Sequence, residues 1–321
     1  MADAAHIATD KELERIEKKL TSIYKRAEKE IGVKWRDYLI DANAKIAPLQ
    51  KQLANAQAKH DTALANQLKK QIADKQRAMT VVNSKYKRLT DQLANEITKV
   101  NQTAVAYVNG ETPSIFTLNY NYVAQDINSF DLGISFELVD KNTVKKLILE
   151  EPELLPSQTI NNAKDIAWNI HKTNSEVLQG ILQGESMPKI ADRFSRVMAM
   201  NAASAIRNAR TAVTCAENSG RMEMMHEAEA KGVHALKKWI ATHDERTRDA
   251  HMELDNKTQE IDEPFVNSIG EIMFPADPHA HPANVYNCRC SLGYVITGFS
   301  PKTPVSFHVK GWDIYVKDGI A

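Results

Sequence analysis

Two thiols one residue apart, Cys288 and Cys290, close the segment Asn287-Cys288-Arg289-Cys290. They follow a proline-rich loop that carries His279 and His281. Upstream lies Asp244-Glu245-Arg246-Thr247-Arg248-Asp249-Ala250-His251, a block of acids, guanidinium groups and one imidazole. Neutral imidazole and thiolate are the side chains that bind zinc, and a tetrahedral site takes four such ligands or carboxylates. His251, Cys288 and Cys290 supply three. His279 is the candidate for the fourth, with Asp277, His281 and Asp255 as alternatives. The gap between the thiols is shorter than the roughly two to four residues usual in zinc knuckles. A plainer reading therefore stands beside the metal: the two cysteines alternate along a short strand, with one side chain in the core.

The same residues allow other chemistry. His251 with Cys288 or Cys290 could form a thiolate–imidazole pair, and histidine plus acids around a metal could serve a hydrolase or nuclease. No serine or cysteine sits in a nucleophile-elbow context, and no glycine-rich phosphate loop occurs among only 12 glycines. The chain therefore reads as a non-enzyme. Asp244, Arg248 and Arg289 are expected to form a buried ionic network around the cluster, joined by Asn287, with Trp239 and Phe265 packed over it.

Separated pieces of the sequence fall in one order: Gly184 through Ile190-Ala191, Ala209-Arg210-Thr211, and Ala216-Glu217-Asn218-Ser219-Gly220-Arg221. Gly232, Lys238-Trp239, Asp244 to Arg248, His251, Glu263-Pro264-Phe265, Pro275, Asp277-Pro278 and Asn287 to Cys290 follow. In this pattern the segment 180–296 resembles the phage Mu F-like head morphogenesis domain. Asn256-Lys257 stands where that family often carries a glycine turn. The resemblance implies a minor head protein of a tailed phage, at the portal vertex or capsid interior. Its partners would then be the portal protein and the major capsid or scaffolding protein. It implies a place in the virion after assembly in host cytoplasm, and a part in head morphogenesis and in DNA packaging or ejection. Arg210 matches the family's arginine, which would reach the acids near Asp244.

Composition agrees with such a role. The 321 residues suffice for about two domains, and 43% hydrophobic content allows a core. Residues 1–110 hold 20 Lys and Arg against 13 Asp and Glu, and the remainder 21 against 28, so the halves carry +7 and −7. Residues 33–108 hold 13 basic against 6 acidic groups. That arm permits nonspecific contact with packaged DNA, although its charges are spread around the helix. No apolar run is long enough to span a membrane, and the start lacks a signal peptide's basic and apolar parts. Three cysteines do not make a disulfide framework, which suits a reducing compartment. Cys215 reads as a small buried residue.

The elements that must position the site follow from periodicity. The expected fold is α+β and predominantly helical: a long N-terminal helical hairpin or coiled-coil arm over 1–110, then a connecting region over 111–183. A mixed α/β Mu F-like domain with short strands covers 184–298, and an extended tail 299–321. Asp10 would cap a first helix with Leu13, Ile16, Leu20, Ile23 and Ala27 on one face, ended or bent at Gly32. Met79, Val82, Tyr86, Leu89, Leu93, Glu96 and Val100 step by three and four, as a coiled-coil seam does. Leu49, Leu53, Leu64, Leu68 and Ile72 would be its partner, turning near Lys59-His60-Asp61. Asn109 to Pro113 would break the helix, followed by extended stretches at 115–123 and 133–139. Helices are expected at about 161–182 and 201–231, and one capped by Ser186 with Pro188 in its first turn. Strands are expected at 234–242, 291–297 and twice within 305–316, with a short helix at 251–254.

Overall fold

The computed structural model describes residues 3–80, 82–130 and 132–300, and the backbone of two further strands at 306–309 and 312–315. The fold is α+β and mostly helical. Its N-terminal part is α1 (Ala4–Ala44), α2 (Ala47–Ala58), α3 (Thr62–Met79) and α4 (Ser84–Asn128). Next come α5 (Lys141–Glu150), α6 (Asn162–Leu182), α7 (Met187–Asp192) and α8 (Phe194–Ala230). Then β1 (Val233–Ile240), α9 (Asp249–Met252), β2 (Thr258–Glu260), β3 (Phe265–Asn267), β4 (Gly270–Ile272), α10 (Pro282–Val285) and β5 (Ser291–Phe299) follow. The paired strands β6 (Ser306–Val309) and β7 (Trp312–Tyr315) close the order. Among the described residues no helix is long and apolar enough to cross a membrane.

The chain divides into two units, one of Met1–Glu17, Ala106–Gln158 and Ile206–Ala321, the other of Lys18–Val105 and Thr159–Ala205. In the second unit α1 buries Leu20, Tyr24, Ala27, Ile31, Trp35 and Leu39, a stripe at three- and four-residue steps. Opposite it α4 buries Tyr86, Leu93 and Ile97, while Val82 is exposed. A layer of polar side chains crosses this core. Tyr24 donates to Asn101 Oδ1 at 2.6 Å, and Asn101 Nδ2 donates to Asp165 and to Asn201 Oδ1 at 2.8 Å. Every member is partnered, so the layer fixes register without leaving an unsatisfied group. Leu49 and Leu53 pack with Ala56, Ala65 and Leu68, so α2 and α3 pair with each other rather than with the 79–100 seam.

Several boundaries differ from the sequence reading. Gly32 does not end α1, which continues to Ala44; Phe194 lies 3.7 Å from where the Gly32 Cβ would be. Asp10 is not the cap, because Asp3 takes that place by accepting from His6 N at 2.8 Å. Ser186 precedes α7 without a side-chain cap bond. The expected break at 109–113 is absent, since α4 runs straight through Pro113. Proline withholds the N–H that would reach the Asn109 carbonyl, and the Thr112 hydroxyl donates there instead at 3.3 Å. The stretch 115–123 is likewise helical, burying Ile115, Phe116, Asn119, Tyr120 and Val123 with helical spacing.

In the first unit the sheet order is β2-β1-β5, all antiparallel, with Trp239 opposite Leu292 and Ile240 opposite Ser291. β1 alternates buried and half-buried residues, so Val233, Ala235, Lys237 and Trp239 share the inner face. Helix α8 packs on α4 at Gly220, where an added Cβ would meet the Phe116 carbonyl oxygen at 2.4 Å. Only glycine permits that approach.

Candidate metal centre

The loop after β1 places the imidazole. Asn256 N donates to the Trp239 carbonyl at 2.9 Å and Trp239 N to the Lys257 carbonyl at 3.0 Å, so the chain leaves β1, makes one short helix and returns. Asn256 turns with φ +62°, the left-handed conformation that asparagine tolerates in place of glycine. Asp255 Oδ1 ties the return by accepting from Ala241 N at 2.8 Å. Within α9, Ala250 and His251 face inward, and the imidazole meets the Trp239 ring edge-on at 5.3 Å. Phe265 packs edge-on against the other part of Trp239 at 5.5 Å.

The cysteines are held from the opposite side by α8. Thr211 Oγ1 accepts from Asn287 N at 2.9 Å, and Thr214 Oγ1 donates to the Cys288 carbonyl at 2.8 Å. Asn218 Oδ1 accepts from Leu292 N at 2.7 Å, while its Nδ2 donates to the carbonyls of Thr214, Pro275 and Cys290. Arg221 donates to the Leu292 carbonyl at 3.0 Å, to both Asp3 oxygens and to Asn119 Oδ1. Residues 211, 214, 218 and 221 step by three, four and three, so one polar stripe of α8 orders the whole segment. Sequence reasoning gave this stripe no role. Its signal was four polar residues at helical spacing, two of them inside Ala216–Arg221.

These scaffolds bring His251, Cys288 and Cys290 together. All three are buried, and their ligand atoms lie within 4.8 Å of one another. His251 Nδ1 is 3.6 Å from each sulfur. Bonds of about 2.3 Å to sulfur and about 2.1 Å to nitrogen at a tetrahedral angle separate the two donors by about 3.6 Å, so the His251–cysteine separations match those of a zinc site and these residues offer three of its four ligands. The Cys288 thiol is raised well above its ordinary value by its hydrogen bond to Cys290 and by burial. The Cys290 thiol is lowered by its hydrogen bond to Cys288, with those to His251 and the Thr242 N–H adding to it against the effect of burial.

A family profile described as phage Mu protein F like protein matches residues 171–293. Minor head protein GP7 of Bacillus phage SPP1 is 31% identical over 230 residues, covering 68% of this chain and 71% of that protein. The chain belongs to the phage Mu F-like family of minor head proteins. A second relative of this Mu F-like chain is named NAD(+)--arginine ADP-ribosyltransferase EFV, from Enterococcus faecalis (strain ATCC 700802 / V583). It is 27% identical over 180 residues, covering 54% of this chain and 35% of that protein. No solved structure matches the chain.

In this Mu F-like chain the other expected ligands stand apart from the three. His279 is exposed, and its backbone N–H donates to Asp277 Oδ1 at 2.9 Å. Asp277 spends its second oxygen on Met273 N, so it shapes its own loop. His281 caps α10, its Nδ1 accepting from Ala283 N, and Asp255 is bound to Ala241 and to His243. The ionic network is smaller and wetter than expected. Asp244 and Arg289 form a two-point pair at the surface, which holds the Asp244 carboxyl well below its ordinary range. Arg248 does not pair with Asp244; it donates to the Tyr286 carbonyl, and its charge is felt at Cys288. Arg210 binds Glu17 of α1, not the acids near Asp244. Asn287 sits in the left-handed region at φ +58°, with its Oδ1 buried and unpartnered.

Proposed function

We propose that within the phage head this chain is a structural docking protein, and that His251, Cys288 and Cys290 hold a zinc ion which staples the Mu F-like part. The observation that carries the zinc reading is the position of His251 Nδ1, 3.6 Å from both sulfurs in a buried pocket. Bound there, zinc would supply cross-linking of α9 to the segment before β5, and binding energy of this kind is folding energy. His251 would offer Nδ1, and the two thiolates would balance the charge. Burial of both sulfurs favours a structural role over a catalytic one.

Family membership supports a place in the head. The partners proposed are the portal protein and the major capsid or scaffolding protein, with the chain near the portal vertex or on the capsid interior. The test is to quantify this chain and its zinc in immature and mature particles by mass spectrometry and elemental analysis. Low-copy presence in both, with about one zinc per chain, is the expected result. Absence from both particles would reject the docking role, and a zinc-free chain the staple.

A further inference from the structure

The α2–α3 hairpin carries a surface that the Mu F-like part does not explain. Between Ala47 and Met79 only Ala56, Ala65, Leu68 and Gln76 are buried. Gln76 belongs to the root of the hairpin, where its side-chain amide Nε2 donates to the Glu185 carbonyl at 2.9 Å. The core nearer the turn is thus two alanines and a leucine, with Leu49 and Leu53 leaning on it. Helices of about 12–15 residues are marginal without tertiary packing, and α2 has 12. Beside this core lies a cleft of about 230 Å³, floored by Ala56 and Leu68 and walled by Leu64, which is 43% exposed. Gln52, Asn55, Lys59 and Asp61 form its rim, with Asp61 Oδ1 engaged by Leu64 N at 3.0 Å.

Charge selects what can lie there. The hairpin carries Lys51, Lys59, Lys69, Lys70, Lys75 and Arg77, all exposed, against Asp61 and Asp74. A net +4 disfavours the same hairpin of a second copy, because like charges would face each other. Nucleic acid would satisfy the charge but not the leucines, and no Phe, Tyr or Trp lies between Ala47 and Met79 to stack on bases. An amphipathic helix with acidic flanks satisfies both, placing apolar residues at helical spacing over Leu49, Leu53, Leu64 and Leu68 and carboxylates near the lysines. We infer that the α2–α3 hairpin is a docking arm for an acidic amphipathic helix of another head protein. The inference rests on the head-protein reading and adds to it a surface and the chemistry of the partner.

The test uses phage whose chain carries the photo-crosslinker p-benzoylphenylalanine in place of Gln52. Irradiated heads should yield a crosslink to a helical, acidic segment of a different head protein, identified by peptide sequencing. Leu64→Lys in the same chain should reduce that crosslink at least about tenfold, with helix content and incorporation into heads unchanged. Crosslinks only to DNA, only to a second hairpin, or none in heads that contain the chain would each overturn the docking arm and leave the head assignment standing. Heads that lack the chain altogether would instead overturn the head assignment, and the arm with it.

Discussion

The Asn218 carboxamide accepts from Leu292 N at 2.7 Å and donates to the Pro275 carbonyl at 3.2 Å, so one fully buried side chain on α8 joins two segments distant in sequence. Replacing it with leucine would strand a buried N–H and carbonyls, each costing about 1–3 kcal/mol. Asn218→Leu should therefore lower stability by about 2–4 kcal/mol, read from urea unfolding. Asn218→Asp should restore only the bond from Leu292 N. A variant as stable as the parent would show that the β5 segment is held by other means.

The zinc staple predicts a pattern across three variants. Cys288→Ser, Cys290→Ser and His251→Ala should each lower bound zinc and the melting temperature. A strong chelator should lower the melting temperature of the parent chain and leave the variants unmoved. Cobalt in place of zinc should give sulfur-to-metal absorption that either serine variant weakens. A parent chain with no metal, whose melting ignores chelator, would contradict the staple.

Lys237 gives a pH signature that the Lys237→Met variant isolates. It is buried on β1, donates to the Ile261 carbonyl at 2.9 Å and lies over the Phe265 ring. Burial lowers its amine from 10.5 to about 8, against the pull of Asp262, Asp277 and Glu263. Between those values the folded amine is neutral while the unfolded one still holds its proton. Stability from this group should then rise as pH goes from about 8 to 10.5, and be flat below. Lys237→Met should abolish that rise, and calorimetry across this range would show it.

Gly220 offers a purely steric test. Gly220→Ala places a methyl group 2.4 Å from the Phe116 carbonyl oxygen, a backbone atom that cannot swing away. The expected loss is about 1–3 kcal/mol, visible as a fall in melting temperature without loss of zinc. Gly110, with open space around it, is the control: Gly110→Ala should stabilise α4 by about 0.5–1 kcal/mol.

Legibility in the sequence followed the physics of each element. β1 and β5 were visible because alternation is strong where one face is buried, as at Val233, Ala235, Lys237 and Trp239. The turn at Lys59–Asp61 was visible because polar residues interrupt two leucine stripes. Helix α4 was misread at Asn109–Pro113, since the Thr112 hydroxyl that replaces the lost proline donor belongs to a side-chain geometry no propensity encodes. His251 and the cysteines were singled out by residue type. Proximity along the chain suggests His279, Asp277, His281 and Asp255 as the fourth ligand, yet the side chains of Asp277, His281 and Asp255 are bonded within their own loops and His279 is exposed. The stripe Thr211, Thr214, Asn218 and Arg221 escaped because polar groups on a helix look solvated until their partners are known.

That stripe also bears on how the protein emerges from the ribosome. Asn218 and Arg221 wait for acceptors and donors that lie 71–74 residues later, at Cys290 and Leu292. Closing such a loop has an entropic cost that no local contact offsets. A nascent chain that stops before Ser291 would keep α8's polar side chains facing empty space where β5 belongs. The first unit therefore reaches its final packing only once β5 has been made.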